Sequence, residues 1–214
     1  MIKLTKCRRS DEKHFNFVKN IDSVKASDYN NEYCDLHIAF TNKKRIKINN
    51  EMMIKKYDEL CKDIDNQNKE IEKENKLKKK NKNSNKLPYP KKIQLEKFRY
   101  SNLSQDVSLF VDVPIMAIKN KKDSFVNGEQ FVISHIDDTN IKAISEVTKK
   151  EIIIEIKNFQ RNFHVAYCIT SHKSQGATFK VPYTIHEWSR LSKRCKYVSL
   201  SRSTTWKNCN ILDV

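Results

Sequence analysis

An apolar run, Val165-Ala166-Tyr167-Cys168-Ile169, passes directly into a polar stretch, Thr170-Ser171-His172-Lys173-Ser174-Gln175-Gly176-Ala177-Thr178. The run reads as a buried strand. Thr170 and Ser171 are strong helix N-cap residues, one helical turn fits after them, and Gly176 suits the left-handed residue that ends such a turn. Strand, tight polar turn and glycine together can present backbone N–H groups and side chains to a phosphate. Glycine is scarce here: the 214 residues contain two, Gly128 and Gly176. A chain with so little of it spends it where the backbone requires it.

A second stretch, Tyr197-Val198-Ser199-Leu200-Ser201-Arg202-Ser203, lies near the C-terminus. Leu191, Arg194-Cys195, Val198 and Arg202 follow helical spacing, which predicts a helix over 189–203 that aims Arg202 out of its last turns. Ile211-Leu212 then closes the chain as a short strand. Upstream, Phe15, Val18 and Ile21 mark a helix. Cys34, Leu36, Ile38 and Phe40 alternate with polar residues and predict a strand. Lys44 to about Tyr57 reads as helix, with Ile46, Ile48, Met52 and Met53 partly apolar. These elements make the two ends of the chain α/β.

The middle differs. Residues 58–86 are dominated by Lys, Glu, Asp and Asn, and Leu60, Ile64 and Ile71 are too sparse for an apolar stripe. This predicts a solvated helix fraying into a disordered basic tract around Leu77-Lys78-Lys79-Lys80-Asn81-Lys82. A tolerated surface insertion accounts for it; the functional alternative is a basic arm on nucleic-acid phosphates. Leu87-Pro88-Tyr89-Pro90 marks a return to order. Val113–Ile118, Asn127-Gly128, Gln130–Ile133, Ile141–Val147 and Glu151–Ile156 are short β-branched runs with turns between them, and predict a small antiparallel barrel or meander.

The formal net charge is +16 and points to a polyanion, most simply nucleic acid; Lys and Asn inflation by an AT-rich genome accounts for part of it. The hydrophobic fraction is 38%, below the usual value of about 45–50%, so the core is modest. Six cysteines, Cys7, Cys34, Cys61, Cys168, Cys195 and Cys209, form no CxxC pair. No zinc site is expected, Cys168 and Cys195 read as buried apolar residues, and the usage fits a reducing compartment. No signal peptide is evident and no apolar run reaches about 18 residues, so a soluble, intracellular chain without a membrane partner is expected.

T-x-H-K-x-Q-G-x-T followed by Y-V-S-L-S-R resembles motifs V and VI of superfamily-one DNA helicases of the RecD-like and Pif branch. Ile38-Ala39-Phe40-Thr41-Asn42 with Ile48-Asn49 resembles motif IV. Leu4-Thr5-Lys6-Cys7-Arg8-Arg9-Ser10-Asp11 with Phe15 resembles the segment joining the two motor domains of that family. Val113-Pro114-Ile115-Met116 and Val126-Asn127-Gly128-Glu129 resemble its strand and turn before a small β-barrel. Nearly the whole chain is thus similar to the C-terminal half of such a helicase. The resemblance implies an α/β fold: a RecA-like parallel-sheet domain over 1–57 and 163–214, a charged and partly disordered helical insertion over 58–95, and an SH3-like β-rich insertion over 96–162.

It also implies roles. Arg202 matches the arginine finger, which stabilises charge on a γ-phosphoryl group in transfer; without the motif it reads as a helix-end arginine pairing with carbonyls. Gln175 and Gly176 match the nucleotide side of motif V. Arg8 or Arg9 matches a second phosphate contact: the segment fits Arg9 counted from Leu4 and Arg8 counted from Asp11. Thr170, His172, Lys173 and Ser174 match positions facing the DNA backbone, and Thr41 and Asn42 match contacts to single-stranded DNA. Read alone, His172 is an N-terminal helix residue bonded to a carbonyl, and Thr-Asn at a strand end is a turn. Phe179, Tyr183, Trp188 and Trp206 are stacking candidates, with core packing favoured for most.

The sequence contains no G-x-x-x-x-G-K followed by Ser or Thr, and no acidic pair where a Walker B motif would stand. The chain alone therefore has no place for Mg-ATP. The expected function is the C-terminal motor domain of an ATP-dependent DNA helicase, with ATP and Mg²⁺ bound only in complex with a separate P-loop domain, and single-stranded DNA as the other partner. The alternative is a non-catalytic nucleic-acid-binding relic of a helicase.

Overall fold

The structure, a computed structural model, describes residues 10–77, 86–98, 101 and 103–213. In chain order the elements are α1 (Glu12–Lys19), β1 (Leu36–Ala39), α2 (Asn42–Leu77), β2 (Ile93–Leu95), β3 (Val107–Leu109), β4 (Pro114–Ala117), β5 (Gln130–Ile136), β6 (Asn140–Ser145), β7 (Glu151–Glu155), α3 (Phe159–Asn162), β8 (Phe163–Val165), β9 (Cys168–Thr170), β10 (Tyr183–His186), α4 (Lys193–Leu200) and β11 (Cys209–Leu212). They fall into two compact units, residues 1–49 with 166–214, and residues 50–165. Among the described residues no helix is long and apolar enough to cross a membrane.

The first unit is built on a parallel sheet of order β11-β10-β1-β9. Its strands are buried on both faces: every residue of β9 and β10 is buried. That is the pattern of a parallel strand covered on either side. The alternation read from Cys34 to Phe40 therefore locates β1 but not its exposure, because His37 is buried along with Ile38. The core comprises Ile38, Ile48, Ile169, Tyr183, Ile185, Leu200 and Ile211.

The apolar run before the polar turn, expected as one strand, is divided. Phe163–Val165 pairs antiparallel with β4 in the second unit, while Cys168–Thr170 pairs parallel with β1. The C-terminal helix is shorter than its spacing implied. Trp188–Arg190 is a single 3₁₀ turn, and α4 begins after Ser192, whose hydroxyl accepts from Cys195 N at 3.3 Å. A serine cap inside the periodic stretch set the true start.

In the second unit, β4 to β8 make a five-stranded antiparallel sheet of order β7-β6-β5-β4-β8, and β2 and β3 pair separately. Strand β7 alternates exposed and buried residues along its length, the period of a half-buried strand. Phe131, Ile133, Ile141, Ala143, Phe159 and Phe163 fill the core. The Asn127-Gly128 signal marks the β4–β5 connection, where Gly128 has φ +91° and donates to Ala117 O at 2.8 Å. Helix α2 runs unbroken for 36 residues, so the charged stretch is helical as far as Leu77. The chain returns along it: Leu87 N donates to Asn68 Oδ1 at 2.7 Å, and Tyr89 OH donates to Asp65 Oδ1 at 2.5 Å. The expected disordered basic tract, residues 78–85, lies outside the described residues.

Candidate functional site

In the first unit β1, β9, β10 and β11 are all parallel, so their carboxyl ends share one edge of the sheet. In open α/β sheets that is the edge where ligands bind. The Thr41–Asn42 junction, the Thr170–Gly176 turn and the Glu187–Arg190 turn all leave it.

The turn after β9 is locally closed. Ser174 N donates to Thr170 O at 3.0 Å, Gln175 N to His172 O at 3.3 Å and Ala177 N to Ser174 O at 3.0 Å. Thr170 Oγ1 accepts from Lys173 N at 3.4 Å, a weak version of the expected cap. Gly176 has φ +91°, the left-handed stop its identity implied. His172, Lys173, Gln175 and Gly176 are exposed, whereas Thr170, Ser171 and Ser174 are buried. Ser174 Oγ donates to Ser171 O at 2.8 Å, so this side chain is engaged inside the turn.

Helix α4 is fastened to that turn. Ser171 Oγ donates to Cys195 O at 3.2 Å and Ser199 Oγ donates to Ser171 Oγ at 3.1 Å. Arg202, expected to point outward, is turned inward and is 7% exposed. Its Nε donates to Val198 O at 2.8 Å, Nη1 to Ser174 O at 3.2 Å and Ala177 O at 3.0 Å, and Nη2 to Ser201 Oγ at 2.8 Å. The physical reason lies in the turn: its carbonyls and those of the last helical turn keep lone pairs that no regular ladder takes up, and a five-donor guanidinium reaches several at once. Tyr183 supports the same joint, its hydroxyl donating to Ser199 O at 2.7 Å.

At the β1–α2 junction Thr41 is the helix cap: its Oγ1 accepts from Lys44 N at 3.2 Å. The same hydroxyl donates to Glu187 Oε1 at 3.0 Å, and Glu187 Oε2 accepts from Thr41 N at 2.9 Å. Asn42 is exposed, and its Oδ1 accepts from Arg45 Nε at 3.0 Å. Asn49 holds the sheet's outer strand, donating to Cys168 O at 3.1 Å and accepting from Cys168 N at 2.8 Å.

Arg8 and Arg9 lie outside the described residues. The described part of their segment is tied to the end of the motif carrying Arg202. Asp11 caps α1 through His14 N at 2.7 Å and accepts from Trp206 N at 3.0 Å. His14, also buried, shares a hydrogen bond with Leu200 O at 2.9 Å, and burial pushes its pKa down. Two further buried histidines, His37 and His186, meet at 3.0 Å between Nδ1 and Nε2. Burial, reinforced by Lys44, lowers His186 to about 4. Of the aromatic candidates Phe179, Tyr183 and Trp188 are buried, and Trp206 is half-buried beneath Lys13 Nζ at 3.3 Å from the ring centroid.

The edge thus brings Thr41 and Asn42 beside the Thr170–Ser174 turn, with Lys43, His172, Lys173 and Arg190 exposed around them. Such a surface can bind phosphates through cationic side chains. Sequence reasoning missed Glu187 and the Ser171–Ser199 pair. Both serines stand in the two recognised motifs and could have been paired on that ground; nothing in the sequence marks Glu187.

No protein-family model matches the sequence, and no curated protein matches it. The fold has solved counterparts. A structure of two coordinating Pif1 helicases at forked double-stranded DNA matches with a TM-score of 0.63 and 19% identity, over 98% of this chain and 49% of that one. Pif1 from Bacteroides bound to single-stranded DNA matches with a TM-score of 0.63 and 20% identity, over 98% and 51%. Pif1 helicase from Candida albicans matches with a TM-score of 0.62 and 15% identity, over 95% and 53%. The chain therefore has the fold of part of a Pif1 helicase and spans about half the length of the structures it matches.

Proposed function

We propose that the chain is the C-terminal motor domain of a superfamily-one DNA helicase of the Pif and RecD-like type, working on single-stranded DNA with a P-loop domain supplied elsewhere. The observation that carries this reading is the joint between the Thr170–Thr178 turn and α4, in a fold like half of a Pif1 helicase. A turn bonded to a helix over several points moves with it, which is what coupling a nucleotide to a DNA strand needs. In this reading Thr41, Asn42, Thr170, His172 and Lys173 form the DNA-facing edge, and Ser174, buried with its N–H and C=O engaged, couples to that edge by closing the turn. Gln175, Gly176 and Arg8 or Arg9 face the nucleotide, and the five-stranded antiparallel unit is the SH3-like insertion.

Arg202 would act as the arginine finger, a role worth about 10³–10⁵ in rate in other NTPases. To reach a phosphate it must leave the carbonyls of Ser174 and Ala177, so nucleotide engagement would loosen the turn. The sequence contains no phosphate loop, and in this reading ATP and Mg²⁺ would be held by the partner domain.

Co-purification of the tagged chain with mass spectrometry, followed by an ATPase assay on the recovered set, tests this. The expected result is a P-loop polypeptide whose hydrolysis depends on this chain and on single-stranded DNA, and fails with Arg202→Lys. Robust turnover by this chain alone, or recovery with nucleic acid only, contradicts it. The inward Arg202 favours the second reading, a non-catalytic nucleic-acid-binding module, which predicts that latter outcome.

A further inference from the structure

We propose that Glu187 is a positioning residue for the DNA-facing junction at the start of α2. It supplies, from the residue after β10, the carboxylate that a capping box normally carries on its own helix. The inference rests on the DNA-facing reading of the Thr41–Asn42 junction.

In a capping box the cap hydroxyl accepts from the N–H three residues on, and a Glu or Gln at that third position reaches back to the cap N–H. Thr41 makes the first half with Lys44 N. Lys44 cannot make the second half, because an ammonium accepts nothing. Glu187 makes it from 146 residues away, accepting from Thr41 N at 2.9 Å and from Phe40 N at 3.1 Å. Thr41 Oγ1 donates to its other oxygen at 3.0 Å, and Arg190 Nη1 donates there at 2.8 Å.

The backbone gives independent support. Glu187 has φ 56° and ψ 38°, a left-handed conformation that a residue with a Cβ adopts at a cost, and it is 6% exposed. Such conformations persist when the surroundings over-determine them. A bare carboxylate on an edge offered to phosphates would repel them; here it is enclosed by donors. With the cap hydroxyl and N–H fixed, Asn42 and Lys43 stand exposed at the first positions of a 36-residue helix. They are then the residues placed to meet a phosphate, and Thr41 acts through the cap.

Anisotropy of a fluorescein-labelled oligo-dT tests this with the whole chain. Glu187→Ala and Thr41→Ala should each weaken binding about tenfold, and the double variant no more than either, because both remove one junction. Glu187→Gln, which keeps one acceptor, should fall between. The loss from Lys173→Ala should persist undiminished in the Glu187→Ala background, which an unfolded unit would not give. Tighter binding by Glu187→Ala, the outcome for a carboxylate that merely repels DNA, overturns the proposal, as do unchanged affinity and additive losses. Weakening by Lys173→Ala with none by Glu187→Ala removes the positioning role alone. A wild-type chain with no affinity for the oligonucleotide removes the DNA-facing reading and this proposal with it.

Discussion

Replacing Arg202 by alanine removes donors from Val198 O, Ser174 O, Ala177 O and Ser201 Oγ together. A net loss of about 1 kcal/mol for each of the three carbonyls is expected when water can reach them. With water replacing the guanidinium at these carbonyls, the variant should be about 3 kcal/mol less stable. With a urea slope of about 2 kcal/mol/M, the unfolding midpoint falls by about 1.5 M. Both tryptophans of the chain, Trp188 and Trp206, lie in the first unit, so fluorescence reports the unit that contains the substitution. Arg202→Lys, a point charge without the guanidinium fork, should recover less than half of the loss. A midpoint shift under about 0.3 M for Arg202→Ala, less than about 0.6 kcal/mol on that slope, would refute the reasoning and return Arg202 to an unburdened side chain.

Three further outcomes follow from the geometry. His186, held at about 4 against an ordinary 6.5, stays neutral in the fold while the unfolded chain takes up the proton first. Stability is therefore full above pH 6.5 and falls towards pH 4 by up to about 3 kcal/mol; His186→Gln should flatten that part of the urea midpoint–pH curve, and an unchanged curve would contradict it. Asn49→Ala leaves the buried N–H and C=O of Cys168 without the amide that pairs them and should cost about 2–3 kcal/mol by the same tryptophan assay. Gly176→Ala meets no atom within 4 Å of the new Cβ but stays at φ +91°, so its cost should be about 1–2 kcal/mol with the turn geometry kept; a larger loss would mean a clash the backbone does not show.

Residue types specify the structure where the chemistry is local. Gly176 and Gly128 both sit at φ +91°, because a turn needs a left-handed residue and glycine supplies it without penalty. Cys168 and Cys195 are buried, as small apolar residues in core elements should be. The features that depend on distant partners were not legible. Phe163–Val165 and Cys168–Thr170 are equally apolar, yet they pair with β4 and β1 respectively; nothing within the run says where one sheet ends. Arg202 pairs with carbonyls, as a helix-end arginine does, but two of them belong to a turn 25 and 28 residues away, which its own stretch does not mark. Glu187 has no signal at all, since a left-handed glutamate looks like any other until its partners at Phe40 and Thr41 are placed. The serine relay is intermediate: both hydroxyls stand in recognised motifs, and only the fold brings them within 3.1 Å.

The central claim, that the carboxyl edge of the parallel sheet faces a single strand of DNA, is tested most directly by the salt dependence of oligo-dT binding. A DNA-facing edge predicts measurable affinity at low salt, falling steeply as salt rises, and a logarithmic slope shallower by about 0.7 for Lys173→Ala, since one phosphate contact is lost. No binding at low salt, or a slope that Lys173→Ala leaves unchanged, would contradict it.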